Sequence, residues 1–234
     1  MREILLNNGF LLLWIISAVE LVLTITLFSD FSRKRDPVII CMALVGVGLC
    51  YDAAVLTAGK MIMLPVLSVL SRGRFIVHGL FLPIIFAVCA HAVPFYKPAR
   101  IATWVLTTLL MLVGAVSGFY RELEKVVLNE GEFSEIVRFT SASPRDSWME
   151  LVSTGIIFGT AAVLILSGIR ITIKQKTPSI MLSGLLMLGF YLLGPLTGNT
   201  DLVFLISMFG GLSMLLCFVI FEKRHISKMY DYYH

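Results

Sequence analysis

Ser71, Arg74 and His78 fall at i, i+3 and i+7 of the run Ser71-Arg-Gly-Arg-Phe-Ile-Val-His-Gly-Leu-Phe-Leu-Pro83. On a helix that spacing puts all three on one face. A guanidinium in an apolar run is a fixed charge with up to five N–H donors, arranged in a fork that fits a carboxylate or phosphate. An imidazole one turn further on titrates near neutrality and can donate a hydrogen bond or exchange a proton. The pair could therefore hold an anionic group and move a proton beside it. Arg72 lies in the same run, and Gly79 and Pro83 follow His78. The proline, lacking an N–H, is expected to kink the helix, and a kink beside a polar face shapes a cavity. The plainer reading has Arg74 reaching for the interface and His78 bonding a neighbouring carbonyl.

Carboxylates add to this set. Asp52 follows Tyr51 and stands one turn after Gly48. An aspartate among apolar residues needs a partner, and Arg74 or Arg72 is the nearest candidate at the same depth. The pair is either a structural tie or part of a site in which Asp52 binds ligand or proton. Glu20 shares a narrow polar stripe with Ser17 and Thr24. Desolvation disfavours a charged carboxylate at mid-membrane, so Glu20 is expected to carry a proton at rest and could couple through it. Its plainer role is a hydrogen bond between helices. Glu150, beside Ser153 and Thr154, and the turn residues Asn199 and Asp201 complete the set, with ordinary helix-end polarity as their plainer reading. The candidates for ligand binding or coupling are thus Glu20, Tyr51, Asp52, Arg72, Arg74, His78, Glu150, Asn199 and Asp201. No catalytic residue is assigned.

The elements that must position these residues are membrane helices. Hydrophobic residues make up 58% of the 234-residue chain and charged residues 15%. Stretches of about 20 apolar residues span a bilayer, and seven fit: 9–27, 37–58, 75–95, 101–119, 148–169, 178–196 and 202–221. The expected fold is therefore an all-α, polytopic integral membrane bundle of seven transmembrane helices, forming a single domain over 1–234. Pro37 suits the first turn of the second span. Met61–Leu70 is too short to cross and carries Pro65, so 60–74 reads as an interfacial or re-entrant piece, or as an extension of a neighbouring helix. The loop 121–147 is too short for its own core. Its first part, Arg121–Leu128, is expected to form a short amphipathic helix ending near Asn129-Glu-Gly131.

Basic residues bias the orientation. With the N-terminus outside and the C-terminus cytoplasmic, segments 30–36, 96–100, 170–177 and 222–234 are cytoplasmic and hold eleven Lys or Arg against four acids. Asp52, Arg72, Arg74, His78, Glu150, Asn199 and Asp201 then belong to the outer half, around an outward-opening polar pocket. The expected location is a cell membrane.

Absences narrow the chemistry. The four cysteines lie in predicted spans without metal-ligand spacing, so they read as small buried hydrophobes. The first span is too long for a signal-peptide h-region and contains Glu20. His91 does not share a face with His78, and no second histidine-bearing span exists for a diheme site. No lysine in the last two spans could form a retinal Schiff base, and no metalloprotease, nucleophile-elbow or phosphate-loop motif occurs. No metal site or cofactor is expected. The +4 net charge reflects topology, not nucleic-acid binding.

The leading expectation is a protein that binds or transports a small molecule or lipid, with possible proton coupling. A membrane-embedded lipid-modifying enzyme, with His78 as general base, is the second. A non-catalytic subunit or sensor is the third. Expected partners are membrane lipids and a small-molecule or lipid ligand. A protein partner or a second copy could dock on the small-residue faces Gly114-Ser117-Gly118 and Ser207-Gly210-Gly211.

Overall fold

A chain this apolar has few ways to fold in hydrocarbon, where helices alone satisfy the backbone within one segment. The computed structural model describes the backbone of residues 7–92, 97–129, 135–144, 146–196 and 200–233. Within them lie α1 (Gly9–Lys34), α2 (Pro37–Ala58), α3 (Leu64–Phe81), α4 (Ile84–Ala92) and α5 (Lys97–Tyr120). A hairpin follows, β1 (Leu123–Leu128) and β2 (Ile136–Ser141), then α6 (Trp148–Gln175), α7 (Ser179–Leu196) and α8 (Thr200–Tyr233). The protein is an all-α polytopic bundle carrying one short hairpin. Among the described residues six helical segments are long and apolar enough to cross a membrane, with α3 and α4 counting as one segment, Leu64–Ala92. The seventh rod, α7, has 18 residues, about 27 Å of helix, and packs between α6 and α8.

Local chemistry sets several boundaries. Arg35, at φ 55°, ends α1 in the left-handed conformation. Asp36 then caps α2 by accepting a bond from the Val38 N–H at 2.8 Å, with Pro37 in the first turn. Ser147 caps α6. Among the described residues α2 is the spine of the bundle: 61% of its membrane-length window is buried, and it touches α1, α3, α4, α8 and β2. The largest apolar cluster gathers around Met42, Val45, Ile85, Leu164, Leu215 and Phe218.

Two expectations are corrected. The third crossing does not start at Phe75. It starts at Leu64, with Pro65 in its first turn, where the missing N–H costs nothing. Residues 64–74 thus extend the neighbouring helix, and Arg72 and Arg74 stand within the crossing, not at its head. The crossing breaks where Pro83 predicts, with α3 ending at Phe81 and α4 opening at Ile84.

The second correction concerns Arg121–Leu128, which forms β1 in place of an amphipathic helix. β1 pairs antiparallel with β2 in the register Leu123↔Ser141 to Leu128↔Ile136. The β-branched runs Val126-Val127 and Ile136-Val137 favour a pleated surface. Leu128 and Ile136 bury against Leu13, Ile16, Ala53 and Phe204, which secures the hairpin to the end of the bundle.

Candidate functional site

The third crossing supplies the centre of the site. On α3, Arg74 and His78 share a face one turn apart, and α2 presents Asp52 to them. The Arg74 Nε donates to Asp52 Oδ1 in an ion pair, and the two side chains are 11% and 12% exposed. Arg74 Nη1 is buried and has no hydrogen-bond partner among the described residues. Asp52 thus holds one edge of the guanidinium and leaves donors over.

A second arginine, not among the candidates read from sequence, joins this group. Arg121 lies just past α5 and is 4% exposed. Its Nη2 donates to Met149 O at 3.0 Å and lies 3.6 Å from Glu150 Oε1. Its guanidinium stacks 4.6 Å from the centroid of the Phe75 ring. Its Nε is also buried and unpartnered among the described residues. A sequence signal for it exists: Gly114, Ser117, Gly118 and Arg121 fall at i, i+3, i+4 and i+7, one polar, low-bulk face.

Asp52, Arg74, His78 and Arg121 line one cavity of about 180 Å³, with Phe75, Gly79, Gly114, Ser117, Gly118 and Ser153 on its walls. Close helix contact forms one wall. A Cβ added at Gly114 would meet Gly79 O at 2.5 Å and Gly79 Cα at 2.8 Å. The small-residue seam of α5 is therefore taken up inside the chain, against α3. Pro83 has no N–H to offer the Gly79 carbonyl.

A second cavity, also about 180 Å³, shares Asp52, His78, Leu82 and Ile157 with the first and reaches Glu20, Tyr191 and Ser207. Glu20 is 1% exposed. Its Oε2 has no partner among the described residues, while Thr24 Oγ1 donates to its backbone carbonyl at 2.7 Å. Asp52 and His78 are thus the partition between an arginine-rich lobe and a carboxyl-bearing lobe.

The other candidates take different places. Tyr51 OH donates to Leu70 O at 3.1 Å and ties α2 to α3. Glu150 accepts from Ser141 Oγ at 2.5 Å, joining β2 to α6, and touches the site through Arg121. Arg72 is exposed on the other side of α3. Asn199 lies outside the described residues, as does the side chain of Asp201. No group of three or more His, Cys, Asp or Glu able to hold a metal occurs among the described residues.

Chemically the arrangement offers unused guanidinium donors in the first lobe, a titratable imidazole at the partition, and a buried carboxyl in the second. No protein-family model matches the chain, and no curated protein matches it in sequence.

Proposed function

We propose that this chain binds a small anionic solute inside the bilayer and carries it across, with proton movement through the carboxyl lobe. One observation carries the reading: two arginines line one cavity, and each has a buried N–H group that no described residue accepts. A buried donor without an acceptor costs about 1–3 kcal/mol, and more when charged. A carboxylate, phosphate or sulfate group relieves that cost, and a planar fork suits it. Each lobe, at about 180 Å³, is smaller than the roughly 300–1,000 Å³ of sites for drug-sized ligands. The ligand is therefore a solute of few heavy atoms, or the headgroup of a lipid alone.

Roles follow from position. Arg74 and Arg121 contact the anion, Asp52 orients Arg74, and His78 donates to the ligand or passes a proton across the partition. Glu20 takes up and releases that proton. The N-terminus and hairpin face outward in this reading, supported by the basic residues Arg33, Lys34, Arg35, Arg100, Lys174 and Lys176 near the opposite end.

The test uses the full chain in liposomes loaded with a pH-sensitive dye. Succinate, phosphate and sulfate, which do not cross lipid unaided, are offered outside. One of them is expected to enter saturably and acidify the lumen. Arg74→Gln should abolish binding, read as lost thermal stabilisation by the same anion. Glu20→Gln should keep binding and lose the pH signal. Absence of binding by all three anions, or full binding by Arg74→Gln, overturns the proposal.

A further inference from the structure

A cavity of about 490 Å³ lies at the other end of the bundle and is lined by Asp36, Val38, Met42, His91, Ala92 and Glu222 among others. Four helices place it on the same axis as the carboxyl lobe. On α2, Leu49 and Asp52 line the lobe, while Pro37, Val38, Ile39 and Met42 line the far cavity. On α8, Met214 lines the lobe and Phe221 and Glu222 the far cavity. Along the third crossing, Leu82 lines the lobe and His91 and Ala92 the far cavity. On α1, Glu20 lines the lobe, and Lys34 pairs with Glu222 at the far cavity.

Between the two cavities a set of apolar side chains is shut off from solvent. Leu27, Val45, Ile85, Val88, Leu215 and Phe218 are each 0% or 1% exposed. Leu49 stands seven positions after Met42, and Phe221 seven after Met214, so the seal is about 10 Å of helix thick. A wet cavity on either side of so thin a seal leaves only a third of a roughly 30 Å hydrocarbon core to be opened. Polar groups at the far cavity, notably Glu222 beside Lys34 and Asp30, suit water and solute in place of acyl chains.

We infer that the far cavity is the second mouth of the solute path, closed from the candidate site by the apolar plug around Val45, Ile85, Val88 and Phe218. This rests on the transport reading above, and its test does not require transport.

Ala92→Cys and Val38→Cys at the far cavity, Ser207→Cys in the carboxyl lobe and Val45→Cys in the plug are each reconstituted in liposomes. A membrane-impermeant trimethylammonium methanethiosulfonate reagent is added to one face or the other, with the unmodified protein as baseline. The far-cavity cysteines should react only from the face bearing Arg33–Arg35, and Ser207→Cys only from the hairpin face. Val45→Cys should react from neither. Adding Phe218→Ala should make Ser207→Cys reactive from both faces. That labelling pattern without any anion flux sinks the transport reading and leaves the two mouths and the plug standing. Anion flux with both far-cavity cysteines unreactive from either face overturns the inference, as does labelling of Ala92→Cys and Ser207→Cys from one shared face.

Discussion

Replacing Asp52 by Ala leaves Arg74 charged, 11% exposed and without the ion-pair partner it has among the described residues. Deleting one partner of a buried pair typically costs about 3–5 kcal/mol, because the survivor stays uncompensated. Here the low end applies, since the guanidinium borders a cavity of about 180 Å³ that can admit water. A loss of about 3 kcal/mol corresponds to a change of more than a hundredfold in the unfolding equilibrium. Arg74→Gln removes the other charge and leaves Asp52 buried. The double replacement Asp52→Ala with Arg74→Gln strands neither charge, so it should be more stable than the sum of the singles by at least about 1 kcal/mol. Denaturation by SDS in mixed micelles, followed by loss of helical circular dichroism, measures all four proteins. Strict additivity would refute the reasoning. It would mean that the two charges are solvated separately and that Asp52 does not position Arg74.

Other consequences are simpler to state. Arg74→Lys keeps the charge but loses the fork, and should weaken anion affinity about tenfold or more, read by calorimetric titration with whichever anion binds the unmodified protein. Gly114→Val puts a side chain where the Gly79 backbone stands 2.5–2.8 Å away. It should lower stability by about 1–3 kcal/mol, seen as a fall in detergent Tm, while Gly155→Ala, with nothing within 4 Å, should leave Tm unchanged or raised. Lys34→Met strands Glu222, whose side chain is 1% exposed. It should destabilise far more than Arg72→Met on the exposed face of α3, and equal losses in SDS titration would contradict the burial difference.

Long apolar runs make most of this fold readable in the sequence. Pro37 and Pro83 act locally, one fitting a first turn and the other removing a ladder bond, so both boundaries follow from the chain alone. The third crossing is harder to read because Ser71-Arg-Gly-Arg74 interrupts its apolar window. Hydropathy rates a charge by its type, whereas its actual cost depends on Asp52, a partner 22 residues away. The hairpin is hidden for a related reason. Glu122-Leu-Glu-Lys-Val-Val fits a helical face as well as a strand, and the choice falls to pairing with Ile136–Ser141 and burial on α1 and α8. For the site, the α3 face and the need of Asp52 for a countercharge are legible from spacing. Arg121 is obscured by its position just past the expected span 101–119, where arginines commonly serve topology. Only its shared face with Gly114, Ser117 and Gly118 hints that it turns inward.

The break at Leu82-Pro83 gives the third crossing an elbow. His78 rides on the upper arm, while Ile85 and Val88 ride on the nine-residue lower arm. That arm is about 13 Å long, so a swing of about 10° at the joint displaces its tip by roughly 2 Å, and Pro83, with no N–H for the Gly79 carbonyl, leaves one ladder bond fewer to resist it. A shift of that size exceeds the clearance of close-packed methyl groups. The lower arm can therefore loosen its grip on neighbouring rods while the upper arm keeps Arg74 and His78 in register with Asp52.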